Sequence, residues 1–115
     1  MNIAELNADI TDFLKLDIRV GTILEAEVFK EARKPAYKLR IDFGTLGIKK
    51  SSAQITDFYT CDDLKGRQIV AVVNFPPRQI ANFISEVLVL GSLDAQGRVR
   101  LLLADTDASN GDKIA

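Results

Sequence analysis

Apolar and polar residues alternate with a period of two along several short stretches, and that period predicts β-strands. The clearest runs from Tyr37 to Phe43. Tyr37, Leu39, Ile41 and Phe43 alternate there with Lys38, Arg40 and Asp42, so one face is buried. Ile18, Val20, Thr22 and Leu24 alternate with Arg19, Gly21, Ile23 and Glu25 in an earlier strand, where Gly21 predicts a bulge or sharp bend. Gly44-Thr45-Leu46-Gly47 reads as a turn into a third strand over Ile48–Ile55. Ile69-Val70-Ala71-Val72-Val73 is short, apolar and β-branched, which predicts a central strand. Pro76-Pro77 ends it, because proline cannot donate to a ladder. Val87–Gly91 is the fifth strand. Asp94-Ala95-Gln96-Gly97 turns into a last extended run over Arg98–Leu103, and Asn110-Gly111-Asp112 makes a final tight turn.

The remaining segments break the period. Ile3, Leu6, Ile10, Phe13 and Leu14 fall at helical spacing and predict an amphipathic N-terminal helix over residues 3–15. Thr11-Asp12 offers an alternative, capping a single turn at Phe13–Leu16. Lys30–Pro35 is a polar loop. Residues 56–64 read as a short helix or loop, and residues 78–86 as a connection with two large apolar residues, Phe83 and Ile84. Short strands with a small helical insert between the third and fourth predict an all-β fold with short helices. The expectation is one domain over residues 1–115: a five-stranded OB-fold barrel with an N-terminal helix and a C-terminal strand extension. A β-sandwich is the alternative.

Composition narrows the function. Apolar residues make up 47% and charged residues 27%, as in a globular chain. There is no histidine and only one cysteine, Cys61. That excludes a Ser–His or Cys–His nucleophile and the usual zinc sites, and no spacing of carboxylates or lysines points to catalysis. The expectation is a binding protein, not an enzyme, with no cofactor and no metal. Cys61 reads as a partly buried apolar residue. No apolar run approaches the ~20 residues of a membrane helix. The first residues lack a basic, then apolar, leader pattern, so a cytoplasmic location is expected. Net charge is −1, yet it is unevenly spread: −4 over residues 1–29, +5 over 30–78 and −2 over 79–115. The basic middle predicts a local positive patch or, equally, a solvated surface whose charges balance on folding.

Asp17-Ile18-Arg19-Val20-Gly21, Ile41-Asp42-Phe43-Gly44, Leu64-Lys65-Gly66-Arg67, Val72-Val73-Asn74 and Asn110-Gly111-Asp112-Lys113-Ile114 resemble the tRNA-binding-domain family, in the family's order. Ile48–Ile55, Val73–Ala81 and Ser85–Leu90 are similar to the CsaA chaperone subgroup of that family. The resemblance implies a homodimeric OB-fold protein that binds unfolded or precursor polypeptides and assists secretion, with the secretion motor as a further partner. It also implies tRNA binding as the alternative. Two departures weigh against tRNA. Asn74-Phe75-Pro76-Pro77 stands where relatives carry a lysine-containing segment, and Glu86 adds negative charge where phosphate binding wants cations.

OB-folds bind across one barrel face, framed by the loops between strands 1 and 2 and between strands 4 and 5. Those loops are Phe29–Ala36 and Phe75–Ser85. The first offers Phe29, Arg33, Lys34 and Pro35; the second offers Phe75, Pro76, Pro77, Arg78, Phe83 and Ile84. The functional reading is a groove for apolar side chains with arginines holding carbonyls or carboxylates. The structural reading is that Phe83 and Ile84 plug the barrel end or a subunit interface. Ser51, Ser52 and Gln54 on the third strand present hydroxyl and amide groups to a backbone or base edge, or pair at a strand edge. Asn74 is a candidate for binding or for capping its strand, and Ser85-Glu86 for a polar lock within the second loop.

Overall fold

The computed structural model describes residues 7–115. The helical expectation at Ile3 and Leu6 therefore lies outside the described residues. Helix α1 spans Ile10–Leu14. Its cap is Asp9, not Thr11-Asp12: Asp9 accepts from the Asp12 amide, while the Asp12 carboxylate accepts from the Asp9 amide at 3.0 Å. This reciprocal pairing satisfies two otherwise free helix-end donors.

Five strands form one antiparallel sheet: β1 (Ile18–Val28), β2 (Tyr37–Asp42), β3 (Ile48–Ala53), β4 (Gln68–Val72) and β7 (Leu88–Val89), in the order β3-β2-β1-β4-β7. The barrel curls because β1 serves two partners. Its first half pairs with β4, from Ile18 opposite Val72 to Thr22 opposite Gln68. Its second half pairs with β2, from Thr22 opposite Asp42 to Val28 opposite Tyr37. The bulge lies between Ile23 and Glu25, not at Gly21. Gly21 answers a different need. A Cβ there would stand 2.7 Å from both Ile41 Cγ2 and Phe43 Cε1, side chains that are wholly buried.

The main core joins Ile23, Leu39, Ile41, Phe43, Leu64 and Ile69. A second cluster of Ile18, Val70 and Val72 packs under Phe13, Leu16 and Ile114. Strand β4 is thus buried on both faces, with Ile69 and Ala71 facing inward and Val70 and Val72 facing the α1 layer. Burial on both faces explains its unbroken apolar sequence. Helix α2 (Cys61–Leu64) lies between β3 and β4, begins at a Thr60–Asp63 capping box, and buries Leu64 completely.

The third strand is shorter than expected, ending at Ala53. The connection over 78–86 has regular structure of its own. It is a hairpin of β5 (Arg78–Ile80) and β6 (Phe83–Ser85), with Arg78 opposite Ser85. Its turn carries no glycine. Ala81 takes φ of +53°, and its carbonyl accepts a bond from the Gln79 side chain. A turn without glycine gives little signal in sequence. The expected fifth strand also divides, at Leu90, into β7 and β8 (Gly91–Leu93). The β8 segment pairs with β9 (Val99–Leu101), which is shorter than the expected run to Leu103. The tail then docks on β1: the Gly111 amide donates to Val20 O, the Val20 amide to Asp112 O, and the Ile114 amide to Ile18 O.

The Asp94 turn has a titratable keystone. One carboxylate oxygen accepts from the Arg98 and Gln96 amides, the other from the Arg98 and Arg100 guanidinium groups. Both guanidinium groups also stand over the Phe58 ring. These bonds, the Arg98 amide first, bring the Asp94 pKa down to about 2 from 3.8. A depressed carboxylate pKa supports the turn above the unfolded value and loses that support as pH falls toward the folded value. The turn is expected to hold at pH 4 and above and to loosen toward pH 2. Carbon-detected NMR titration of the Asp94 carboxyl is expected to give a midpoint near 2. A midpoint near 3.8 would show that the turn does not form.

Candidate binding groove

The barrel is closed by side chains rather than by a full ladder. Strands β3 and β7 are the sheet's two edges. Between them, the Lys50 amide donates to the Glu86 carboxylate at 2.9 Å, and the Glu86 amide returns a bond to Lys50 O at 2.8 Å. The Ser52 amide donates to Ser85 Oγ, and Ser51 Oγ donates to Val87 O. Ser51 is fully buried and Ser85 nearly so. Ser51, Ser85 and Glu86 thus hold the strands around the groove. Asn74 has a similar position at another seam: Oδ1 accepts from the Asp17 amide, and Nδ2 donates to Lys15 O.

Five of the residues singled out in sequence converge. Arg33 and Lys34 from the β1–β2 loop, Ser52 and Gln54 from the end of β3, and Arg78 from β5 line one depression of about 430 Å³ with Glu31, Ile80 and Ala81. Ser52, Arg78 and Ile80 continue into a second hollow that adds Phe75, Pro76, Ser85, Glu86 and Leu88. They also border a third, where the aliphatic residues Leu88, Val89 and Val99 appear. The result is a groove with a cationic end on the β1–β2 loop and an aliphatic end at β7 and β9. Pro77 is exposed just before Arg78 and lines none of these hollows.

Phe83 lies elsewhere. It meets buried Phe29 edge to face, with centroids 5.4 Å apart at 65°. The Lys38 and Lys50 ammonium groups stand 5.6 and 5.1 Å from its ring centre. Phe83 therefore pins the hairpin onto the outer face of β2 and β3, beside a depression bordered by Glu25, Glu27, Lys38, Arg40 and Lys50. Ile84 is exposed. Sequence reasoning did not single out Ile80, Leu88, Lys38 or Lys50. For the lysines a signal existed: Lys38 alternates with core residues, and the β2–β3 register sets Arg40 opposite Lys50. Ile80 and Leu88 gave little, because the turn of the hairpin that folds against the barrel offers only Asn82 as a turn-favouring residue. Among the described residues no group of three or more Cys, Asp or Glu side chains is placed to hold a metal ion.

Comparison with known proteins bears on the family and the fold. Residues 18–113 match the family model for the tRNA binding domain. The crystal structure of the chaperone CsaA from Bacillus anthracis superposes with a TM-score of 0.91 at 58% identity, covering 95% of this chain and 99% of that one. CsaA from Picrophilus torridus gives 0.89 at 59%, covering 95% and 100%. Among curated proteins, the methionine–tRNA ligase of Porphyromonas gingivalis is 38% identical over 103 residues, 90% of this chain. The chain spans only 15% of that ligase's length. The fold is the nearly closed five-stranded barrel of the CsaA structures, and the chain belongs to the tRNA-binding-domain family, alongside the proteins named CsaA.

Proposed function

We propose that the protein is a molecular chaperone that binds unfolded or precursor polypeptides and assists their export, working in the cytoplasm as a homodimer without enzymatic activity. One observation carries the reading: the groove between the β1–β2 loop and the β5–β6 hairpin joins cationic and aliphatic residues around a shared Ser52, Arg78 and Ile80. An extended polypeptide can use both, with apolar side chains on the aliphatic end and backbone carbonyls on donors such as Arg78. The similarity to proteins named CsaA supports the same reading. No helix among the described residues is long and apolar enough to cross a membrane.

A second reading, tRNA binding, is favoured by a different observation. Arg33, Lys34 and Arg78 line one hollow, and Lys38, Arg40 and Lys50 line another, in a protein whose net charge is only −1. Competition between tRNA and an unfolded polypeptide, run across a salt series, separates the two. Phosphate binding falls steeply with salt, whereas apolar peptide binding changes little or strengthens. Polypeptide binding that survives high salt is the expected result. Binding of tRNA alone would reverse the order of the two readings.

The dimer rests on apolar surface. Ile10 and Leu14 are 67% and 60% exposed beside Phe13, Leu16 and Ile114. Leu102 and Leu103 are exposed as well, whereas Leu101 is buried in the core. An isologous interface would cover such surface on both copies at once. Light scattering at micromolar concentration is expected to give twice the chain mass of 12.7 kDa. A monomer mass would remove the dimer from the proposal.

A further inference from the structure

Resting on the polypeptide reading above, we propose that the groove selects extended segments in which an acidic side chain lies about two residues from an aliphatic one. The first observation is an unbalanced charge. Lys38 takes Glu31 at 3.6 Å, Arg40 takes Glu25, Arg19 takes Asp17, and Arg98 and Arg100 share Asp94. Arg33, Lys34 and Arg78 have no ion-pair partner among the described residues. Glu31, the one carboxylate at their end of the groove, is already engaged by Lys38. At the other end, Glu86 accepts from the Lys50 amide. Three cations thus face a shared hollow in a chain of net charge −1. A carboxylate is the complementary group, and a guanidinium can hold it with two parallel bonds.

The second observation is spacing. Arg78 and Ile80 are two apart on β5 and border the same hollows. Strand residues two apart share a face, and an extended ligand has the same repeat. A carboxylate set on Arg78 therefore places the ligand's next side chain on that face near Ile80, Leu88, Val89 and Val99. That floor is aliphatic, with Phe75 at its edge, and suits apolar side chains.

The test is fluorescence anisotropy with labelled leucine–alanine peptides of one length, acetylated and amidated, carrying Asp, Asn or Lys at a single position. A fourth peptide carries Asn and a free terminal carboxylate, and a single-stranded RNA oligomer serves as a fifth probe. Each is titrated into the full chain, into Arg78→Gln and into the double variant Arg33→Gln/Lys34→Gln. All three residues are exposed, so both variants should fold. The Asp peptide is expected to bind about three- to fivefold more tightly than the Asn peptide at low salt, and the Lys peptide more weakly than either. That preference should fall below about twofold in both variants. A gain for the terminal carboxylate with none for the Asp side chain would overturn the assignment to side chains. Equal binding of Asp, Asn and Lys peptides would overturn the inference and leave the polypeptide reading standing. Failure of every peptide to bind, with RNA bound through Arg78, would overturn both.

Discussion

Phe43→Ala is expected to destabilise the domain by about 3–5 kcal/mol, the range for truncating a buried aromatic side chain. Phe43 is wholly buried and sits where three parts of the chain meet. It follows β2, its amide donates to Gly47 O to close the turn into β3, and its ring occupies the space that Gly21 leaves on β1. No polar group is released by the change, so the loss is packing and the cavity it leaves. A domain of this size has about 5–15 kcal/mol of stability to lose. Thermal melting is expected to fall by more than about 10 °C. A melting temperature equal to that of the unaltered protein would mean that the barrel is not packed around this ring.

Gly111→Ala is expected to cost at least about 2 kcal/mol, from backbone conformation and steric overlap together. Gly111 has φ of +92°, and a Cβ there would stand 2.7 Å from Phe43 O, a backbone atom in the core turn. The same residue donates to Val20 O and accepts from the Arg19 guanidinium at 3.0 Å. Moving it aside would therefore peel the tail from β1. Gly97→Ala separates the two causes. Gly97 has φ of +76° at the tip of the β8–β9 turn, with open space where its Cβ would go, so only the conformational cost applies there. Melting both variants should show the larger loss at Gly111. Equal losses would mean that the tail does not press against the Phe43 turn.

Legibility in the sequence followed the physics of each element. Strand β2 was plain, because one face meets the core and the other meets solvent, and that contrast is written as alternation. The β5–β6 hairpin was not. Its turn uses Ala81 in a conformation that glycine usually supplies, and Phe83 is fixed by Phe29, a residue 54 positions earlier. Gly21 was visible as a special position but for the wrong cause: a glycine required by distant side chains looks the same as one at a bulge. The candidate groove was half legible. Loop position suggested Arg33, Lys34 and Arg78, and strand position suggested Ser52 and Gln54. Ile80 and Leu88 emerged only when the hairpin folded against the barrel.

By itself the sequence determined the strands with a one-sided environment, the helical insert before β4, the absence of histidine chemistry and the family resemblance. Each is a property of residues near one another in the chain, or of residue type alone. Only the tertiary structure decided how the barrel closes. Glu86 and Ser85 reach back across more than thirty residues to bond the Lys50 and Ser52 amides. It also decided which cations remain unpaired. Lys38 takes Glu31 and leaves Arg33 and Lys34 without a carboxylate among the described residues. Neither outcome follows from local preference, because both depend on which edges and charges folding brings within bonding distance.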